Sequence, residues 1–145
     1  RERLLPDCAF SLMQDGREYH FVVEIDCGTE PIRSVRSVHA WQRKVELYEA
    51  LAAQSPGRFR VLVLTTRNHR RLDAILGLVV KTKTNNSRRR LFMAAAFDDY
   101  LGRRLPLFEK CFRDHQGEAV SLLNFMPIVN SQDGVNTSVP TIVIP

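Results

Sequence analysis

Three carboxylates lie in two strand-like segments near the start of the chain, Asp7 in residues 4–13 and Glu24 and Asp26 in residues 19–27. Glu24 and Asp26 are two positions apart, so in a strand they share one face. Carboxylate oxygens are the ligands that hard divalent cations prefer. Like charges that oppose each other across a sheet are destabilising unless something compensates. The pattern therefore predicts that a divalent cation compensates Asp7 and Glu24, with Asp26 on the same face.

A tight turn between the two segments decides which residues face each other. Asp15 and Gly16 form a strong signal for a two-residue hairpin turn. Pairing the flanking residues and continuing outward brings Asp7 opposite Glu24. The other face of this hairpin is apolar and carries Cys8, Phe10, Leu12, Tyr19, Phe21, Val23 and Ile25. The alternative is a solvated outer face with a few acids, but apolar residues on the acidic face favour partial burial.

A helix after the hairpin is expected to position a lysine near these acids. Pro31 suits a first helical turn, and the helix is predicted from residue 29 or 30 to about Gln54. Lys44 lies about 60° from the centre of its apolar stripe, at roughly 100° per residue. It either reaches the acidic site or extends its ammonium group into solvent. The stripe alternates spacings of three and four and consists of Val38, Trp41, Val45, Tyr48 and Ala52.

The hairpin resembles the metal site of the PD-(D/E)xK nuclease superfamily. Pro6-Asp7 matches its Pro-Asp, and residues 24–26, Glu-Ile-Asp, occupy the place of its (D/E)-x-K. Asp26 therefore stands where the superfamily has a catalytic lysine. Together with residues 5–7, 21–26 and 28–30, the motif is similar to the replication-relaxation family, bacterial proteins of plasmids and other mobile elements associated with replication or mobilisation.

This resemblance implies a Mg²⁺-dependent (or Mn²⁺-dependent) DNA endonuclease or nickase. Asp7 and Glu24 would hold the metal that activates water, and Asp26 would join as a ligand of a second metal. Lys44 would replace the missing lysine, and Lys44 with Tyr48 matches a Lys-x-x-x-Tyr pattern of the family. The implied partners are DNA and proteins of replication or mobilisation. Whether the chain forms a homodimer is left open. The alternative function is a catalytically inactive nucleic-acid-binding accessory protein.

Positive charge is concentrated in one part of the chain. The net charge is +5, and residues 67–90 hold eight basic residues against one acid, Asp73. A basic segment beside an acidic face suits a protein that binds phosphodiesters. The alternative is that these arginines only maintain solubility. The nucleic-acid-binding candidates are Arg67, Arg70, Arg71, Arg88, Arg89 and Arg90.

The order of the predicted elements indicates an α/β fold. An N-terminal hairpin is followed by a helix, a strand (58–66), a helix (68 to about 83) and a strand (91–97), which predicts a mixed central sheet covered by helices. This order resembles the three-layer restriction-endonuclease-like core except for its first helix, which we expect upstream of this sequence. We expect residues 1–104 to form this nuclease-like core and residues 105–145 to form a partly irregular C-terminal extension.

Composition restricts the class of protein. The 145 residues suit one domain with a proper core. Three cysteines without metal-ligand spacing are typical of free thiols in a reducing compartment. No apolar run approaches the roughly 20 residues that span a membrane, so we expect a cytoplasmic protein with no membrane partner. Because the chain begins at Arg1, we expect a fragment, and the family resemblance implies an upstream winged-helix DNA-binding region.

Overall fold

A computed structural model describes residues 4–34, 40–54, 59–82, 90–123 and 141–143. These residues form seven strands and three helices. In chain order the elements are β1 (Cys8–Gln14), β2 (Arg17–Asp26), α1 (Trp41–Gln54), β3 (Arg60–Thr65), α2 (His69–Thr82), β4 (Phe92–Ala96), α3 (Phe97–Leu101), β5 (Phe112–Asp114), β6 (Ala119–Val120) and β7 (Thr141–Val143).

The strands form one open sheet in the order β6-β5-β4-β3-β2-β1-β7. β2, β3 and β4 are parallel neighbours, and the connections between them contain α1 and α2. β1 is antiparallel to β2, and β5 is antiparallel to β4. The mixed α/β architecture predicted from the sequence is confirmed. Parallel neighbours end at the same edge of a sheet, so the carboxyl ends of β2 and β3 meet there.

The hairpin has the predicted register. Gln14 pairs with Arg17, and the ladder continues outward to Cys8 and Val23. Asp15 and Gly16 have φ values of 51° and 71°, the positive values that a two-residue hairpin turn requires at both positions. The turn chemistry alone therefore accounts for the alignment of the two strands.

Two apolar cores lie on opposite faces of the sheet. One is packed between the sheet and the helices α1 and α2. The other lies on the opposite face, includes residues of β5 and β6, and has α3 packed against it. The hairpin contributes Leu12, Phe21 and Val23 to the second core, as its apolar face predicted. Cys8 and Ile25 belong to that face in sequence but are exposed, because they lie at the outer end of the hairpin.

The first helix is shorter than predicted. It begins at Trp41, and residues 30–34 are not helical. The carbonyl groups of Pro31 and Ile32 accept hydrogen bonds from the amides of Trp41 and Gln42, both at 3.0 Å. Carbonyl groups that accept from residues ten positions away do not form the i to i+4 bonds of a helix through Pro31. Trp41, Val45, Tyr48 and Ala52 of the predicted stripe are buried, and Val38 lies outside the described residues.

The second helix begins as predicted. The side chain of Asn68 accepts a hydrogen bond from the amide of Arg71 at 3.2 Å, which is the bond of an N-terminal cap. The segment after Arg104, expected to be a partly irregular extension, contributes β5 and β6 to one edge of the sheet and β7 to the other. None of the helices in the described ranges is long and apolar enough to cross a membrane.

Candidate functional site

Glu24 lies under α1 and is almost completely buried, with 1% of its surface exposed. The Lys44 ammonium donates to its Oε2 at 2.9 Å, and the Tyr48 hydroxyl donates to its Oε1 at 2.5 Å. Lys44 and Tyr48 are four positions apart, so they lie one above the other on the helix face that covers β2. The helix thus supplies both a counter-charge and a neutral donor to one buried carboxylate.

Lys44 is shared between two acids. Its Nζ lies 2.9 Å from Glu24 and 2.9 Å from Glu30, and it also lies 5.2 Å from the centre of the Trp41 ring. Burial alone lowers the pKa of a lysine, but the hydrogen bonds to Glu24 and Glu30 raise the pKa of Lys44 above its ordinary value. Lys44 is therefore a cation at neutral pH. It reaches the acid that the sequence predicted and is not extended into solvent.

Tyr48 is held in its neutral form. Burial and then the hydrogen bond to Glu24 raise the pKa of its hydroxyl, and the charge of Asp7 adds to this effect. A phenol whose pKa is raised remains a donor throughout the physiological range.

Asp26 is saturated with internal donors. Arg71 binds both of its carboxylate oxygens, with distances of 2.8 Å and 2.7 Å, so that the pair is bidentate. The remaining donors are the Trp41 indole at 3.1 Å, the Thr65 hydroxyl at 2.9 Å and the Gly28 amide at 3.2 Å. Burial acts to raise the pKa of Asp26, but the hydrogen bonds of Arg71, Trp41 and Thr65 lower it overall. These donors leave no lone pair for the second metal expected at Asp26.

Asp7 lies one residue outside the last pair of the hairpin ladder. Its amide donates to the Val23 carbonyl at 3.0 Å, and its Oδ2 accepts from the Ile25 amide at 2.6 Å. The carboxylate thus takes the place of a main-chain carbonyl beside Glu24, and the residue is exposed. Within the described ranges, no group of three or more histidine, cysteine, aspartate or glutamate residues is arranged to hold a metal ion. The structure therefore brings Lys44 to Glu24 and places Asp7 on the neighbouring strand, bound to the amide of Ile25, whereas Asp26 is bound by other donors.

The basic residues predicted to bind nucleic acid differ in the contacts that they make. Arg71 is committed to Asp26, and Arg90 binds Asp114 and Glu118. Arg67 is exposed, but its Nε donates to the Cys27 carbonyl at 2.9 Å. Arg70 is also exposed, at the start of α2. Arg88 and Arg89 lie outside the described residues.

The position of the Arg67 side chain explains why residue 28 is a glycine. Gly28 has a φ of +74°, and a Cβ atom added there would lie 2.6 Å from the Arg67 Nε. The side chain of Arg67 therefore lies directly on the loop that follows β2. This contact keeps a positive charge close to the carboxyl end of β2, near the acidic residues.

Three residues that contact Lys44 or Asp26 were not among the site residues predicted from the sequence. They are Glu30, the Trp41 indole and Thr65. For Thr65 a signal existed, because β3 is parallel to β2 and its last residue lies beside Asp26. Trp41 was recognised only as an apolar residue, although a buried indole N–H requires an acceptor.

Comparison with known proteins gives no relative. No family model, no curated protein and no solved structure matches this chain.

Proposed function

We propose that this chain is a DNA-binding protein with a restriction-endonuclease-like core, in which Asp7, Glu24 and Lys44 form a Mg²⁺-dependent site that cleaves or nicks DNA. The similarity of its hairpin motif to the replication-relaxation family supports a role in the replication or mobilisation of plasmids or other mobile elements. The observation that carries the proposal is the Lys44 ammonium 2.9 Å from Glu24. Asp7 lies beside this pair at the end of the hairpin, bound to the amide of Ile25, and α1 supplies a lysine although the strand position for it holds Asp26.

The donor set fits a weakly held Mg²⁺ ion. Mg²⁺ is usually bound by one or two carboxylates together with waters and substrate phosphates. Asp7 offers an exposed carboxylate. Each oxygen of Glu24 has one protein donor among the described residues, and a carboxylate oxygen has two lone pairs. A bound Mg²⁺ would supply an acidified water and charge stabilisation at the phosphate.

The state of Lys44 determines its role. Because its pKa is raised, Lys44 carries a positive charge at neutral pH and does not accept a proton from water. It holds the water or stabilises the phosphate as charge develops. Glu30 gives the ammonium group of Lys44 a second acceptor beside Glu24. Lys44 therefore stays at the site when Glu24 binds a cation.

DNA contact is supported by the exposed arginines at the start of α2. Arg67 binds the carbonyl group of Cys27, which follows β2 directly, and Arg70 lies one helical turn further along. Both charges lie beyond the carboxyl end of β2, where open α/β sheets usually bind ligands. Contacts of this kind are electrostatic and independent of DNA sequence.

The proposed function is tested by plasmid nicking. We expect wild type to nick supercoiled plasmid in Mg²⁺ or Mn²⁺, and we expect Asp7→Asn to lower the rate by about 10²-fold or more, since a neutral amide is a poor ligand for a hard cation. Asparagine keeps an oxygen acceptor for the Ile25 amide, so the hairpin end is preserved. The control is Asp15→Asn, the same chemical change at the other end of the hairpin, in a turn that tolerates asparagine. Equal nicking by Asp7→Asn and wild type contradicts the proposed site.

A non-catalytic accessory protein is the second candidate. It is favoured by the engagement of both Glu24 oxygens by Lys44 and Tyr48, which stabilises the acid without a metal. This candidate predicts DNA binding with no cleavage under any metal condition. Absence of nicking by wild type, with DNA binding retained, therefore selects the accessory role.

DNA binding itself is tested by its salt dependence. Arg70→Gln is expected to weaken binding to duplex DNA and to make the slope of log K against log salt less steep by about 0.9, because one fewer counterion site is released. The matched control is Lys81→Gln, which removes one exposed charge from the opposite end of the same helix. Fluorescence anisotropy over a range of salt concentrations gives both slopes. If the two variants have equal slopes, Arg70 does not contact DNA and contributes only to solubility.

A further inference from the structure

Arg60 is a half-buried cation with little to neutralise it. It is the first residue of β3 and pairs with Phe21, on the sheet face opposite α1 and α2. The partner that its guanidinium contacts is the Met93 sulfur, at 3.8 Å. Across the described part of the chain, no carboxylate lies within ion-pair distance of Arg60. Burial and then the nearby charge of Arg90 lower the pKa of its guanidinium.

A cavity of about 390 Å³ opens beside this guanidinium. Its lining includes three cations, Arg60, Arg90 and Lys110, and one acid, Glu118. Arg90 is paired with both Glu118 and Asp114, so Arg60 and Lys110 are the lining cations left for a ligand. Tyr19 contributes to the wall, and a second cleft of about 420 Å³ shares Tyr19 and Arg60 with the first. Arg60 is therefore accessible from two adjoining clefts.

The shape and charge of the cavity restrict its ligand. A guanidinium group carries five N–H donors, and a sulfur atom is a weak acceptor. Leaving such a charge partly desolvated is unfavourable unless an anion pairs with it. Arginine binds phosphate in a bidentate manner, with two parallel N–H···O bonds. Cavities that bind small molecules usually start at about 300 Å³, so a ligand of mononucleotide size is accommodated.

We propose that this cavity binds the phosphate group of a small phosphorylated ligand, with Arg60 as the bidentate donor and Lys110 as a second cation. The site is separate from the proposed nuclease centre. Glu24 lies opposite Val63, three residues further along β3 and on the other face of the sheet. Loss of one site therefore leaves the other intact, and the two proposals are tested independently.

Calorimetric titration tests the site directly. The probes are inorganic phosphate, adenosine monophosphate and adenosine, in a buffer without phosphate or sulfate. We expect adenosine monophosphate to bind and adenosine not to bind. Tighter binding of the monophosphate than of inorganic phosphate identifies a nucleotide-sized ligand, and equal binding identifies a simple phosphate site. Both results support the phosphate pocket, whereas no heat from either phosphate probe overturns it.

Two variants assign the binding to these residues. Arg60→Met is expected to weaken binding about ten-fold or more, since it removes hydrogen bonds to a charged group. Arg104→Met makes the same change at an exposed residue that does not line the cavity and is expected to bind as wild type does. Lys110→Gln, at an exposed position that does not depend on core packing, is expected to weaken binding several-fold. Wild-type affinity in both Arg60→Met and Lys110→Gln contradicts the proposal.

Discussion

Arg71→Met is expected to lower the free energy of unfolding by about 3–5 kcal/mol, the usual result of removing one partner of a buried ion pair. Asp26 has 3% of its surface exposed, and Arg71 alone neutralises it among the described residues. Without Arg71, the Trp41 and Thr65 donors remain, but neither carries a charge. Arg71 also donates to the Glu30 carbonyl at 2.6 Å, so the loop before α1 loses a contact as well.

Urea unfolding measures this effect. The midpoint should fall at an unchanged slope, because the surface exposed on unfolding stays about the same. Arg70→Met is the matched control, because it makes the same change on the preceding, exposed residue. Its effect is expected to stay within about 0.5 kcal/mol. Equal midpoints for the two variants would show that the folded protein tolerates buried Asp26 without the Arg71 guanidinium.

The pH dependence of stability provides a second measurement of the same pair. The pKa of Asp26 is lowered in the folded protein. Its contribution is therefore fully present above the unfolded value, about 3.9, and is lost as the pH falls through the lower folded value. In Arg71→Met, burial instead favours the protonated acid, so stability declines as the pH rises. The difference between wild type and variant should shrink on acidification, and a constant difference from pH 7 to pH 3 contradicts this account.

The features that the sequence predicted well are local. The Asp15-Gly16 turn determines the register of the hairpin, and the two-residue period of a strand places Glu24 and Asp26 on one face. Helical periodicity placed Lys44 at the shoulder of the buried face of its helix, and it left open whether the ammonium group reaches the acids or the solvent. These features depend on backbone geometry over a few residues, which the residue types specify directly.

The partners of the acids could not be predicted in the same way, because they come from distant segments. Arg71 is 45 positions from Asp26, and charge counting cannot distinguish a paired arginine from an exposed one. It therefore appeared as a candidate for DNA binding. The parallel alignment of β2 and β3 offered a clue, since it places the first turn of α2 beside the end of β2. The start of α1 was missed because proline suits both a helix start and the non-helical segment that the structure has there.

Lys44→Gln is expected to lower the nicking rate about 10²–10³-fold at saturating metal, the effect of losing one donor that stabilises charge in the transition state. Glutamine keeps an N–H donor that can pair with Glu24, so the variant removes the positive charge while preserving a neutral contact. The raised pKa of Lys44 means that its charge is constant from pH 6 to pH 9. Wild type should therefore show no loss of rate in this range that is due to Lys44.

The matched control is Arg43→Gln, on the adjacent residue of the same helix. Arg43 pairs with Glu46 at 3.0 Å, so its loss removes the same charge without touching Glu24. Rates are compared at saturating DNA, so that a difference in affinity does not contribute, and only Lys44→Gln should nick slowly. If both nick equally fast, Lys44 is a structural counter-ion for Glu24. In that case a metal held by Asp7 and Glu24 would activate water without help from Lys44, because a lysine that stays protonated cannot act as a base.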